Sequence, residues 1–144
     1  MVFTHQIRVK LFHTDAAGIL FYGRIYEFTQ ETAEAFLEHI GFPLRVMFNG
    51  GPDHGHPFLL PIVHSEADYF SPMTVGDTIT TNLKILKIGQ TSLTLGFELI
   101  NQNDVKVALA KTIQVCIDKK TRQKIPLSPL LIEKSKNYLG DESV

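Results

Sequence analysis

The feature that most constrains the fold is a helical segment, beginning near Gly23, that is apolar on two sides. One apolar stripe consists of Ile25, Phe28, Thr32, Phe36 and Ile40, and the other of Tyr22, Tyr26, Thr29, Ala33 and Leu37. Both keep the spacing of three to four residues that marks a helix face. The remaining stripe is acidic and consists of Glu27, Glu31, Glu34 and Glu38. Such a helix must be covered by other structure, so we predict a central helix that ends at Gly41.

Asp15 lies ahead of this helix, among small or apolar residues and close to Gly18. One interpretation is structural, because Asp is common in Asx turns and helix caps. However, Asp15 precedes the helix start by too many residues to be its N-cap. A carboxylate beside the free N–H groups of a helix start can hydrolyse acyl groups, because it can act as base or nucleophile while the N–H groups stabilise the oxyanion. Asp15 is therefore a candidate catalytic residue.

The chain has 144 residues, of which 44% are hydrophobic, and a formal net charge of −1. These values predict a single domain over residues 1–144 with a substantial core. A nearly neutral chain has no strong electrostatic attraction to nucleic acid or to an anionic membrane, so we expect neither as a partner. The basic run at residues 119–124 is interpreted as a solvated loop, with a local phosphate contact as the alternative.

The single cysteine, Cys116, excludes an intrachain disulfide and favours a reducing compartment. Its apolar strand pattern predicts a buried thiol rather than a nucleophile. The N-terminal residues lack a signal-peptide core and no apolar run reaches membrane-spanning length, so we expect a cytoplasmic location. Asp53, His54 and His56 lie in a loop rich in Gly and Pro and could be metal ligands. Their spacing matches no closed metal site, and we expect neither metal nor cofactor.

Alternation of apolar and polar residues predicts five strands. They cover residues 6–11, 60–70 and 78–88, a stretch containing Leu93, Leu95, Phe97 and Leu99, and residues 105–117. In the last strand, one apolar side, interrupted by Lys111, consists of Val105, Val107, Leu109, Ile113, Val115 and Ile117. Ser128 and Pro129 predict a short C-terminal helix from about 129 to 139. The order of one strand, one long helix and four strands predicts an α+β fold, with an antiparallel meander wrapped around the helix.

This order of elements, with an Asp-x-x-Gly motif at Asp15 and Gly18 before the long helix, resembles the hotdog fold. The sequence is similar to the 4-hydroxybenzoyl-CoA thioesterase-like family of acyl-CoA hydrolases over roughly residues 5–127. The residues that carry the resemblance to its 1,4-dihydroxy-2-naphthoyl-CoA hydrolase branch lie at positions 19–22, 60–64, 68–70, 72, 76–77, 115–117 and 124–127.

The resemblance implies roles for individual residues. Asp15 takes the part of the catalytic carboxylate, and the main-chain N–H of Tyr22 that of the oxyanion donor. The residues expected to bind substrate are Gly18, Phe21, Tyr26 and His64. Each has a structural alternative, because aromatic residues on a helix face usually just pack and a histidine on a strand can be a satisfied part of the sheet.

Two departures from the family pattern limit what carries over. Arg24 and Ile25 stand where many relatives have Asn and Tyr. The Arg/Lys cluster that clamps the phosphates of coenzyme A in some relatives is replaced here by Gly89, Gln90 and Thr91. The catalytic assignment survives both departures, whereas the contacts to coenzyme A do not transfer.

The expected function is hydrolysis of an aromatic acyl-CoA, with 1,4-dihydroxy-2-naphthoyl-CoA as the first candidate. The alternatives are a thioesterase of broad range for short and medium acyl chains and a non-catalytic acyl-CoA-binding module. A dehydratase is disfavoured, because no histidine falls in a motif of that class. The resemblance also implies a homodimer or a tetramer of two dimers, in which each site draws residues from two chains.

Overall fold

The helix with two apolar faces is α1 (Ile25–His39) in a computed structural model that describes residues 1–48 and 58–142. The other helices are α2 (Leu44–Phe48) and α3 (Pro129–Lys136), and short 3₁₀ turns lie at Leu11–His13 and Tyr22–Arg24. The strands are β1 (Phe3–Arg8), β2 (Phe58–Leu59), β3 (Ile62–Tyr69), β4 (Thr78–Ile88), β5 (Ser92–Ile100), β6 (Lys106–Val115) and β7 (Ile117–Asp118).

Helix α1 occupies the centre of the core, as predicted. The first apolar stripe is buried along its whole length, whereas Glu27, Glu31 and Glu38 are exposed. Of the second stripe, the part from Thr29 onward is buried and Tyr22 is exposed. The start of this stripe therefore lies at the surface, next to the segment that carries Asp15.

Gly41 ends the helix in a Schellman motif. Its φ of +99° lies in the left-handed region, where glycine is favoured. The Gly41 N–H donates to the Glu38 carbonyl at 3.1 Å, and the Phe42 N–H donates to the Leu37 carbonyl at 2.7 Å. These two bonds satisfy carbonyl groups at the helix end and confirm the predicted stop.

The main sheet has five antiparallel strands in the order β1-β4-β5-β6-β3. Strands β4, β5 and β6 form the predicted meander, but the prediction is wrong for β3. Because β1 pairs with the first half of β4, β3 lies at the opposite edge of the sheet and pairs with β6. Seven of its eight residues are exposed. The sheet therefore ends in an edge strand whose outer side has no neighbour within the described part of the chain.

The middle of β6 turns its larger side chains to the outer face of the sheet, whereas Val107 and Val115, on the same apolar side of the sequence pattern, are buried. Antiparallel register partners share a face, and the buried Phe97 of β5 stands opposite Ala110. Leu95 and Leu99 likewise stand opposite small or β-branched residues of β6. The large side chains of β5 fill the space under the helix, so β6 contributes small ones there. Its larger residues, Leu109 and Ile113, lie half-buried with Lys111 on the outer face.

Strands β2 and β7 form a separate two-stranded sheet. Cys116, just before β7, is fully buried, and burial raises the pKa of its thiol to about 11, which confirms a core thiol. The basic run follows as a turn built on Asp118, whose carboxylate accepts the backbone N–H groups of Thr121 and Lys120 at 2.8 and 2.9 Å. These bonds lower the pKa of Asp118. Residues 120–124 are exposed, as predicted for a solvated loop, whereas Lys119 at the start of the run is buried.

Helix α3 ends at Lys136, three residues earlier than the predicted limit of 139. Ser128 is its N-cap and accepts the Leu131 N–H at 3.1 Å. The following residues leave the helix to pair with the sheet: the Ile85 N–H donates to the Tyr138 carbonyl at 2.8 Å, and the Gly140 N–H donates to the Ile85 carbonyl at 3.0 Å. This tail extends the sheet beside β4, beyond Phe3, the residue at which β1 begins.

No helix in residues 1–48 and 58–142 is long and apolar enough to cross a membrane. In the same part of the chain, no group of three or more His, Cys, Asp or Glu side chains is arranged to hold a metal ion. The loop with Asp53, His54 and His56 lies outside the described residues, so the metal-site alternative for it stays untested.

Candidate active site

Asp15 lies in a tight loop of residues 14–20, the Asp15 loop. Its ends meet through an antiparallel bridge between Thr14 and Leu20. The Asp15 N–H donates to the Ile19 carbonyl at 2.9 Å, and the Asp15 carbonyl accepts the Gly18 N–H at 3.0 Å. Gly18 has a φ of +77°, which a residue with a side chain would adopt only with strain. Gly18 therefore shapes the turn that presents Asp15.

The Asp15 carboxylate uses one oxygen within the loop. Its Oδ1 accepts the Ala17 N–H at 2.8 Å, which makes an Asx turn. Within the described residues, no hydrogen bond reaches the other oxygen, and the residue is exposed. The structural and the catalytic interpretation of Asp15 are thus compatible: one oxygen orients the carboxylate and the other is available to a substrate or a water molecule.

Main-chain contacts hold the Asp15 loop on both sides. The Leu20 N–H donates to the Met73 carbonyl at 2.7 Å, and Ile19 forms a bridge with Thr74, in the connection between β3 and β4. The Phe21 N–H donates to the His13 carbonyl at 3.0 Å. The loop is therefore fixed between the residues that precede it and the segment that follows the edge strand.

His13 is a buried support beneath the loop. Its Nδ1 accepts the Lys10 N–H at 2.9 Å, so the neutral ring carries its proton on Nε2, which lies 3.8 Å from Oε2 of Glu27. The ring packs edge-on against Phe28 of α1, with centroids 4.9 Å apart. Burial lowers the pKa of His13, and the Glu27 carboxylate opposes that shift in part. The side chain thus joins the loop to α1 as a neutral hydrogen-bonding group.

Tyr22 opens the 3₁₀ turn Tyr22–Arg24, which we call the helix-start turn. No hydrogen bond from its main-chain N–H occurs within the described residues, as expected for the first N–H groups of a helix. The Tyr22 carbonyl, in contrast, accepts the hydroxyl of Tyr69, the last residue of β3. The predicted oxyanion donor is therefore free, in a turn that a side chain from the edge strand holds in place.

An apolar cavity of about 340 Å³ lies beside the helix-start turn. Its walls come from the Asp15 loop, the helix-start turn, the end of β3 and the residues after it: Ile19, Leu20, Tyr22, Tyr69, Phe70, Ser71, Pro72 and Met73. A small cavity with apolar walls and few polar groups suits the acyl part or the pantetheine arm of a thioester.

The predicted site residues do not all lie together. Asp15, Gly18, Phe21 and Tyr22 belong to one continuous surface segment, in which the Phe21 and Tyr22 rings lie 4.8 Å apart. Tyr26 is half-buried on α1, close enough to Tyr69 to raise its pKa. Because the register partner of His64 is Ile113, His64 lies on the outer face of the sheet, where it contacts Glu66 at 3.2 Å. One chain therefore does not bring His64 to the side of the sheet that carries the Asp15 loop.

Sequence reasoning missed His13 and Tyr69 as members of this site. His13 stands two residues before Asp15, and nothing in the local pattern marks it as buried. Tyr69 is one of the residues that carry the family resemblance, but its role depends on a contact with a residue 47 positions away. The available signal was its place on the less polar side of β3, the side that faces α1.

The sequence has close relatives among thioesterases. The model of the Thioesterase-like superfamily matches residues 9–134. A 1,4-dihydroxy-2-naphthoyl-CoA hydrolase of Rippkaea orientalis is 33% identical over 136 residues, which cover 93% of this chain and 95% of that protein. A hydrolase of the same name from Synechococcus elongatus is 34% identical over 119 residues, or 83% of this chain and 84% of the relative.

A solved structure shows the same fold. Slr0204, a 1,4-dihydroxy-2-naphthoyl-CoA thioesterase from Synechocystis, matches with a TM-score of 0.84 and 27% identity over 95% of this chain and 97% of that chain. The prediction of a hotdog fold, with an antiparallel sheet around one long helix, is confirmed. With the family match over most of its length and relatives a third identical across nearly whole chains, the protein belongs to the thioesterase-like superfamily.

Proposed function

We propose that the protein hydrolyses an aromatic acyl-CoA, namely 1,4-dihydroxy-2-naphthoyl-CoA, to the free acid and coenzyme A. The observation that carries the proposal is the Asp15 loop itself: among residues 1–48 and 58–142, nothing hydrogen-bonds to the second oxygen of its oriented carboxylate or to the Tyr22 N–H that follows at the helix start. The substrate is proposed because hydrolases with this specificity are 33% and 34% identical to the chain.

In the proposed reaction, Asp15 either accepts a proton from water as the water oxygen attacks the thioester carbonyl, or attacks that carbonyl itself to form an anhydride that water then cleaves. Both routes break the C–S bond and release the thiolate of coenzyme A, which needs little protonation to leave. The Tyr22 N–H and the positive end of the α1 dipole stabilise the negative oxygen of the intermediate. Loss of one such donor costs about 3 to 4 kcal/mol in related chemistry.

The site is proposed to be completed by a second copy of the chain. Edge strand β3 exposes apolar side chains at or next to its ends: Ile62, Val63, Tyr69 and Phe70. An unpaired edge of this length favours pairing with another strand. A twofold axis perpendicular to the sheet makes the two β3 strands antiparallel and keeps α1 of both chains on one side. We propose this homodimer, alone or as half of a tetramer of two dimers.

Antiparallel pairing of this kind brings the start of β3 in one chain close to the end of β3 in the other, where the helix-start turn lies. A second cavity, of about 220 Å³, lies at the start of β3 on the α1 side. It is lined mainly by apolar groups, with the amides of Gln30 and Gln114 among them. Gln114 is buried and donates to the Leu60 carbonyl at 3.2 Å. In the dimer this cavity would supply the slot for the aromatic ring.

We also propose that Gly18, Phe21 and Tyr26 bind the substrate where the two chains meet. His64 is one candidate for binding a ring hydroxyl, but it lies on the outer face of the sheet, where the perpendicular twofold axis keeps it in both chains; Gln114, the other candidate, lies on the face that carries the Asp15 loop. Two variants separate these candidates, because a lost hydrogen-bond partner should harm only substrates that carry the hydroxyl. His64→Ala or Gln114→Leu should lower kcat/KM more for a hydroxylated aryl-CoA than for benzoyl-CoA.

The test of the proposed function is release of free thiol from a panel of thioesters. We expect kcat/KM to be at least about tenfold higher for 1,4-dihydroxy-2-naphthoyl-CoA than for benzoyl-CoA or a straight-chain acyl-CoA, because a site built for hydroxyl groups discriminates strongly. Equal or faster hydrolysis of short aliphatic thioesters would indicate a broad-range thioesterase instead. Tight binding of acyl-CoA without thiol release would indicate a binding module.

A cytoplasmic location is part of the proposal. It is supported by the single cysteine, which forms no intrachain disulfide, and by an acyl-CoA substrate. Neither nucleic acid nor membrane is proposed as a partner, because the net charge of −1 provides no strong attraction to either.

A further inference from the structure

The hydroxyl of Tyr69 connects the edge strand to the helix-start turn. It donates a hydrogen bond to the main-chain carbonyl of Tyr22, across 47 positions of sequence. Tyr69 ends β3 on the α1 side of the sheet, because its register partner on β6 is the buried Ala108. The next residue, Phe70, donates its N–H to the Val107 carbonyl at 2.9 Å, so the backbone that carries the Tyr69 ring is tied to the sheet.

The acceptor of this bond lies in the part of the chain that the proposed reaction uses. The carbonyl of Tyr22 shares a peptide unit with the N–H of Gly23, and the N–H of Tyr22 lies one peptide earlier. Neither N–H has a hydrogen-bond partner within residues 1–48 and 58–142. A hydrogen bond to a carbonyl polarises its peptide unit and limits rotation of that unit. The Tyr69 hydroxyl thus fixes the direction of the Gly23 N–H, and it limits movement of the adjacent Tyr22 N–H.

We propose that Tyr69 is a positioning residue for thioester hydrolysis: its bond to the Tyr22 carbonyl holds the helix-start turn in the geometry that accepts the oxyanion. The inference rests on the proposed function, in which the Tyr22 N–H is the oxyanion donor. It also links the proposed dimer to catalysis. Strand β3, which pairs with the second chain in that dimer, carries Tyr69, whose hydroxyl holds the helix-start turn.

The surroundings of Tyr69 keep its hydroxyl in the donor form. Burial raises the pKa of Tyr69, and charge repulsion between its ionised form and the ionised forms of the nearby Tyr26 and Tyr22 raises it further. A phenolate could only accept hydrogen bonds and would repel the carbonyl oxygen. The proton therefore stays on Tyr69 across the neutral range, and the bond to the Tyr22 carbonyl stays intact.

The test compares Tyr69→Phe with Tyr138→Phe. The first variant removes only the hydroxyl that reaches the turn. The control removes a hydroxyl from a buried tyrosine that packs edge-on against Phe36, on the core side of α1. For Tyr69→Phe we expect kcat for 1,4-dihydroxy-2-naphthoyl-CoA to fall about tenfold, the effect of one lost hydrogen bond, while KM changes less than about twofold. Tyr138→Phe should leave both constants within about twofold of the wild type.

A second measurement does not depend on activity. Amide hydrogen exchange in peptides that contain residues 22–25 should become faster in Tyr69→Phe and remain unchanged in Tyr138→Phe, while light scattering shows the same mass for all three proteins. Unchanged exchange in Tyr69→Phe, a kcat within twofold of the wild type, or a loss of activity that follows loss of the oligomer would each overturn the inference. If the wild type hydrolyses no thioester, the proposed function fails, and the exchange of residues 22–25 alone decides whether Tyr69 holds the turn.

Discussion

The two oxygens of the Asp15 carboxylate differ in their hydrogen bonding. Oδ1 accepts the Ala17 N–H, and the bonds of Ile19 and Gly18 to the Asp15 backbone close the loop around it. A side chain held in this way needs no reorientation when a substrate arrives, and such preorganisation is the main source of catalytic advantage in acyl transfer. The exposure of Asp15 in a single chain fits a site that a second chain would cover.

Replacement of Asp15 by Asn should separate structure from chemistry. The amide oxygen of Asn can still accept the Ala17 N–H, so the thermal midpoint should stay near that of the wild type. Without a carboxylate, kcat should fall by about three orders of magnitude or more, comparable to the loss of a general base or nucleophile. Asp68→Asn, on the exposed outer face of β3, is the matched control. Thiol release above a tenth of the wild-type rate in Asp15→Asn would exclude Asp15 as the catalytic group.

His13 should make the stability of the protein depend on pH. Burial lowers its pKa from the usual 6.5, so the unfolded chain binds a proton more readily than the folded one. The free energy of unfolding should therefore decrease as pH falls below about 6.5, and level off once the pH is below the pKa of the folded state. The carboxylate of Glu27 and the cations of Arg24 and Lys10 act on the same ring in opposite directions.

Urea unfolding at pH 7.5 and pH 5.5 measures this effect. His13→Gln should reduce the difference in unfolding free energy between the two conditions, and His64→Gln, at a half-exposed histidine, is the control for loss of an imidazole. Equal pH dependence in the wild type and in His13→Gln would show that the buried ring does not control acid sensitivity.

At the scale of elements, α1 and β6 differ in how far local pattern determines their environment. Helix α1 has apolar residues on two sides, and any compact fold must cover both, so its central place follows from its own sequence. Strand β6 has Leu109 and Ile113 on one side and Ala108, Ala110 and Thr112 on the other. The smaller side faces the helix, because the buried side chains of β5 already occupy most of the volume there. Hydrophobicity alone therefore does not determine which side of β6 faces the core.

For the whole molecule, we expect the open edge of β3 to govern assembly. The proposed dimer joins two five-stranded sheets into one and brings two incomplete sites together. Val63, whose side chain is 61% exposed, lies within this edge. A charge there should oppose pairing, as charged residues on natural edge strands do.

Light scattering at micromolar concentration should give at least the mass of a dimer for the wild type. Val63→Lys should shift the mass toward the monomer and lower thioesterase activity in parallel, because each site of the proposed dimer draws residues from both chains. Val105→Lys changes an exposed valine outside the strands and should leave the mass unchanged. A monomeric wild type that is fully active would contradict the shared site.

The elements of the fold could largely be predicted from the sequence. The stop of α1 at Gly41, the bounds of β4 at Thr78 and Ile88 and the cap at Ser128 agree with the structure, because each depends on residues a few positions apart. The tail after α3 departs from the helix, because Ile85 of β4 offers its N–H and carbonyl to residues 138 and 140. Hydrogen bonds to β4 thus end α3 earlier than the local sequence pattern predicts.

The sequence by itself determined the central helix and the position of the Asp15 motif, since periodicity and short-range spacing encode both, and its resemblance to known thioesterases indicated the family. Only the tertiary structure decided which strand lies at the free edge, which face of the sheet carries His64, and that Tyr69 reaches the carbonyl of Tyr22. These features depend on which strand edges are available for pairing in the sheet. They also depend on how much of the core volume is filled by side chains that are distant in sequence. Neither quantity is a property of any local segment, because both are set by residues far apart in the chain.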